Sequence, residues 1–213
     1  MNQSRLSIFV RSYWDYYLEL EKEFLNTKKY VAFDMYNKNA YSLEFLRLML
    51  AVCSEIDVVA KNIALSLDQT FRVDKNTNIQ KWGYVLQNKL PGILTGELVF
   101  DHEIRVSPWK NWIYEQYTDR SGALRYRLKN TTKTPEWWNA YNAVKHQRTT
   151  NADTGHINYT KANLINLINS FGALYLLESE YMQTLEGEQE PIDGIGNSQA
   201  FQMYFPMFED LIY

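Results

Sequence analysis

One histidine in this chain stands among residue types that can do chemistry together. His146 follows Asn142 by four positions, with Lys145 directly before it and Arg148 two positions on. Residues four apart stack on one face of a helix, so Asn142 and His146 would be neighbours there. An imidazole exchanges protons near neutral pH, and an asparagine one turn earlier can orient it or hold a phosphate oxygen. Lys145 and Arg148 would supply charge for a phosphodiester transition state. The competing reading is a surface histidine beside an aromatic core helix, with both cations simply solvated.

The element that must carry these residues runs from Thr134 to Arg148, about four turns of helix. Thr134 is placed to cap the first turn, Pro135 suits the first helical position, and Glu136 complements the positive dipole end. At about 100° per residue, Trp137, Trp138, Tyr141 and Val144 share one apolar arc. Lys145 falls at its side, Asn142 and His146 lie just beyond it, and Arg148 falls beneath Tyr141 in the last turn. The polar Thr149-Thr150-Asn151 stretch ends the run.

No other constellation competes strongly. His102 and His156 fall in expected loops, and no helical His-Glu-x-x-His pattern occurs, so neither a metal site nor a cofactor is expected. Glycine-rich phosphate loops and Gly-x-Ser-x-Gly elbows are absent. Cys53, the single cysteine, sits in an apolar helical run and reads as core packing. Arg120, Arg125, Arg127 and Lys129, with Tyr126 among them, can grip a nucleic-acid backbone or form the wet face of a hairpin. Asn163, Asn166 and Asn169, spaced by three, can line a polar pocket or make structural hydrogen bonds.

The 213 residues suit a single domain spanning 1–213, long enough to bury its own core. A net charge of -3 gives no global case for nucleic acid, so any such contact must be local. Sixteen tyrosines and six tryptophans suggest aromatics at an interface. The start of the chain does not read as a signal peptide, and no run approaches the ~18 apolar residues of a membrane span. With one cysteine, that points to a reducing, cytoplasmic setting.

Apolar steps of three and four predict helices over about Leu6–Asn26, Ser42–Leu67, Ile79–Leu90 and Tyr159–Leu185. The second is apolar around much of its circumference and should be central, with Asp57 and Lys61 as a favourable pair four apart. Between the third helix and the motif helix, about 95–130 reads as a small β-rich insertion. Its expected strands are Glu97–Phe100, Ile104–Val106, Trp109–Tyr117 and Leu124–Leu128, the last alternating Leu124, Tyr126 and Leu128 against Arg125 and Arg127. Glu186–Asn197 reads as a flexible acidic connection. The aromatic tail, Phe201–Tyr213, must dock on the body or cover a partner. The fold class is therefore mainly α, four to five helices with one insertion.

At Tyr141-Asn142-Ala143-Val144-Lys145-His146 the sequence resembles the HEPN superfamily, the higher-eukaryote and prokaryote nucleotide-binding domains. Its ribonuclease members carry an arginine, a polar residue that is often asparagine, and a histidine on a late helix. Asn142 matches the polar position and His146 the histidine, while Tyr141 occupies the arginine's place. The resemblance covers about 42–70 and 134–185. It implies a HEPN-like helical bundle, a homodimer, and a stress or phage-defence setting with RNA or nucleotide as ligand. It further implies metal-independent RNA cleavage by His146, Asn142, Lys145 and Arg148, with Tyr141, Trp138, Glu55 and Asn166 as substrate-binding candidates. The alternative is an inert helical scaffold that binds a protein partner through its aromatic tail and Trp-Trp helix.

Overall fold

The computed structural model describes residues 4–75, 77–150, 155–186 and 195–203, and every structural statement below concerns these. The chain is mainly helical. Helix α1 (Arg5–Phe9) runs through a widened π turn at Val10–Trp14 into α2 (Asp15–Asn26), so the expected first helix is one rod with a local bulge. Helix α3 (Leu43–Leu67) is started by Ser42, whose hydroxyl accepts the Phe45 N–H at 3.0 Å, and α4 (Ile79–Lys89) by Asn78, which accepts from Gln80 and Lys81. A short α5 (Gly92–Thr95) follows, then α6 (Glu136–His146) and α7 (Leu164–Glu186). None of the described helices is long and apolar enough to cross a membrane.

Helices α3 and α7 form the centre, as their all-round apolar character requires. Asp57 and Lys61 pair on α3 as expected. Phe24, Phe33, Phe45, Phe100 and Phe171 meet in the middle, with the Phe24 and Phe171 rings stacked at 4.8 Å. Burying that many rings is the main stabilising term here.

The segment at 95–130 divides in two. Strands β1 (Leu98–Phe100) and β2 (Ile104–Val106) pair antiparallel, and β5 (Phe201–Met203) adds to the other side of β1. Leu98 and Phe100 are fully buried, so this hairpin is part of the core. Strands β3 (Tyr114–Thr118) and β4 (Leu124–Leu128) form a separate surface hairpin, with Tyr117 opposite Arg125 and Gln116 opposite Tyr126. Trp109 and Trp112, expected in a strand, sit in a turn and the irregular segment after it, before β3, because their rings enter the core there.

Two other boundaries shift. Helix α7 begins at Leu164 rather than Tyr159; Asn158–Lys161 forms a 3₁₀ turn, and Asn163 accepts the Asn166 N–H across the first α turn. Helix α6 begins at Glu136 after an extended Pro135, and Thr134 offers its carbonyl, to the Asn139 amide, rather than a capping hydroxyl. Of the Glu186–Asn197 connection, 187–194 lie outside the described residues, as does all of the aromatic tail beyond Met203.

Candidate functional site

Helix α6 is fixed by its inner face. Trp137 and Trp138 are 2% and 8% exposed and lie edge to face at 5.5 Å. Trp112 reaches both at 5.8 Å, Trp109 meets Trp137 at 5.8 Å, and Trp82 meets Trp138 at 6.2 Å. Indole N–H groups lock the cluster to the body: Trp137 donates to the Pro108 carbonyl and Trp109 to the Ala173 carbonyl, each at 2.9 Å, and Trp82 to Asp57 at 3.0 Å. All six tryptophans are buried in the core, five of them in this cluster. The Trp138 ring, a substrate-binding candidate, packs against four other rings and serves to seat the helix.

The outer face carries the polar cluster. Lys145, His146 and Arg148 are exposed and Asn142 is half-buried. The Asn142 amide donates to the Trp138 carbonyl at 3.0 Å, one turn back along its own helix. Lys145 Nζ donates to the Tyr141 hydroxyl at 3.1 Å and lies 5.1 Å from the centre of that ring. Tyr141 therefore presents a buried ring and a hydroxyl with an ammonium on it. Arg148 lies past the helix end, which is at His146, and its Nε donates to the Val144 carbonyl at 3.3 Å.

The chain beyond α6 is held by its return. Tyr159 N–H donates to the Arg148 carbonyl at 3.0 Å, and the Asn158 amide donates to the Gln147 carbonyl at 2.9 Å. The Tyr159 ring meets Tyr41 edge-on at 5.5 Å, and Tyr41 is half exposed. An aromatic pair therefore borders the cationic end of α6.

Among the described residues, two sequence candidates make no hydrogen bond to this cluster. Asn166 is buried, and its amide donates to the Lys161 carbonyl at 3.0 Å, so it orders the start of α7. Asn169 likewise bonds Ile165 within α7. Glu55 faces Tyr13 and Glu178, whose ionisation it influences. Cys53, two residues earlier and about 200° round α3, is the one that senses Lys145. Burial pushes the Cys53 thiol up to about 12, against smaller opposing pulls from Ser170 and Lys145, which leaves it unreactive.

The interior holds a group that the sequence reading missed. Glu178 on α7 is completely buried, and neither carboxylate oxygen has a hydrogen-bond partner among the described residues. Burial first, and then the charge of Glu55, pushes its carboxyl well above the ordinary range. Its only sequence signal was an acid directly after the apolar run Leu174–Leu177. Glu21, also buried, is the opposite case: it accepts from the Tyr17 and Ser198 hydroxyls and the Gln199 N–H, tying β5's leading segment to α2. No group of three or more His, Cys, Asp or Glu side chains among the described residues is arranged to hold a metal ion.

Comparison with family models, with curated proteins and with solved structures finds no match for this chain.

Proposed function

We propose that this is a HEPN-like protein that cleaves single-stranded RNA without a metal, using the outer end of α6. The observation that carries the reading is the Lys145 ammonium, 3.1 Å from the Tyr141 hydroxyl. Tyrosine in the arginine's place would leave the motif without a cation one turn before the histidine; Lys145 returns a positive charge to that position. In the reaction, His146 takes the proton of a ribose 2′-hydroxyl as its oxygen attacks the adjacent phosphorus. The bond to the 5′-oxygen breaks, and that oxygen leaves with a proton from water or from the His146 of a second copy across a two-fold axis. A 2′,3′-cyclic phosphate and a 5′-hydroxyl result. Lys145 and Arg148 offset charge on the phosphoryl oxygens, and Asn142 orients them after its amide turns from the Trp138 carbonyl. Tyr159 and Tyr41 offer rings on which a flanking base can stack.

A test is end analysis of a labelled RNA incubated with the protein in excess chelator. Fragments ending in cyclic phosphate, absent with His146→Ala, are the expected outcome; ends of another kind, or the same fragments from the variant, would refute the mechanism. A homodimer in a cellular stress or phage-defence role belongs to the same proposal, and equilibrium sedimentation checks the dimer.

The second reading, an inert scaffold that binds a protein, is favoured by one observation: the Asn142 amide is already satisfied within its own helix. Under it, RNA stays intact with the wild type as well as with the variant.

A further inference from the structure

The surface hairpin and the start of α4 enclose a cleft of about 680 Å³, lined by Lys75, Lys81, Arg125, Tyr117 and Tyr126 together with polar residues of the loop before α4. Three cations face it against one carboxylate, Asp74, in a chain whose net charge is -3. The walls are rigidly built. Gln87 of α4 holds β3 twice, donating to the Tyr114 carbonyl at 2.6 Å and accepting its N–H at 2.7 Å. The Tyr126 ring packs on Tyr84 at 5.2 Å, and the Arg127 guanidinium lies 5.0 Å from the centre of the Tyr117 ring.

The far end of the hairpin is fixed as firmly. Asp119 accepts from the Ser121 hydroxyl and N–H, the Ala123 N–H and Arg125 Nε, and Gly122 takes the left-handed turn with φ 83°. The Asp119–Arg125 pair uses Nε, so it does not occupy the terminal guanidinium nitrogens. Lys75 has no ion-pair partner among the described residues, whereas Lys81 donates to the Arg72 carbonyl at 2.7 Å and pairs with Asp74 at 3.4 Å, a pair that an incoming phosphate would share.

We propose that this cleft binds the nucleotide units of a single-stranded nucleic acid, with phosphate on Lys75, Lys81 and Arg125 and a base against Tyr117. The chemistry is that of sequence-tolerant single-strand binding: backbone cations beside an aromatic face. A duplex, whose bases are stacked on each other, offers the tyrosine nothing to stack on. The proposal does not depend on cleavage at α6, because a cleft that grips a strand has no need of His146.

The experiment uses the full chain carrying His146→Ala, so that RNA survives whether or not α6 is catalytic. Fluorescence anisotropy follows a labelled single-stranded oligonucleotide, with an unlabelled duplex of the same length and adenosine monophosphate as competitors. Saturable binding of the single strand is expected, weakened roughly ten-fold by Tyr117→Ala and by Lys75→Glu. Lys75→Glu should also flatten the salt dependence, while Lys29→Glu, an exposed lysine that does not line the cleft, changes neither. Displacement by the monophosphate would identify a free nucleotide as the source of the ligand, and its failure to displace would identify the strand. Absent binding, binding indifferent to both cleft variants, or a duplex that competes as well as the strand would each overturn the proposal.

Discussion

The outer end of α6 and the cleft beside the β3–β4 hairpin are both cationic, and they are built in opposite ways. At α6 the imidazole and the two cations are exposed, the amide beside them is half-buried, and the amide and cations bond to their own helix. At the hairpin the cations line a concave wall with tyrosines, and no histidine stands among them. One region has an imidazole and lacks enclosing walls; the other has walls and no imidazole. The proposed cleavage and the proposed grip are thus separable properties of separate elements. Variants can therefore remove one and leave the other.

The largest expected effect concerns the inner face of α6, since the cluster is presented outward only because the tryptophans are buried. Trp138→Ala should cost about 3–5 kcal/mol of stability, seen as a melting temperature lower by about 10 °C or more. A loss under about 1 kcal/mol would mean that the ring cluster does not seat α6, and the contrast between its two faces would fail.

Glu178 separates stability from either site. Its folded carboxyl is raised above the ordinary 4.5, so the folded state holds a proton that the unfolded state releases. The stability that this group contributes is then fully present below about 4.5 and is lost as pH rises beyond that value, whereas Glu44 and Asp68, lowered by their hydrogen bonds, act with the opposite sign. Half-buried Glu55 and Glu180 are raised by burial and act with the same sign as Glu178. Glu178→Gln should flatten this slope and stabilise the protein at alkaline pH by about 1–3 kcal/mol, with RNA binding and cleavage unaltered. Denaturant titrations at two pH values check it; an unchanged slope would show that Glu178 is charged and solvated in the fold. A smaller effect is expected at the cleft, where Tyr117→Ala should weaken strand binding without changing the urea midpoint. A lowered midpoint would mean that the hairpin, not a lost stacking face, accounts for the change.

Much of the fold was legible in the sequence because its signals are local. The apolar spacing from Leu6 to Asn26 and the all-round apolar run to Leu67 each need only neighbouring residues to be read. What escaped was long-range. Nothing local says that Phe201–Met203 pairs with Leu98–Phe100, or that Trp109 turns inward to the Ala173 carbonyl. The site followed the same division. The stacking of Asn142 and His146 on one face of α6 was readable from their spacing, and so was the side position of Lys145. That Glu55 faces Glu178 rather than α6 depends on how three helices cross, and the Lys75–Tyr117 cleft joins two segments far apart in the chain.

The proposed reaction needs Lys145, on Tyr141, to supply the missing cation to His146. The direct measurement is the rate of cleavage of a mixed single-stranded RNA pool in chelator, with wild type, His146→Ala and Lys145→Ala matched for purity. Cleavage by the wild type is expected, with a fall of about 10²–10⁴-fold with His146→Ala and a clear fall with Lys145→Ala, strand binding being retained in both. Equal rates in all three proteins, or no cleavage by any, would contradict it.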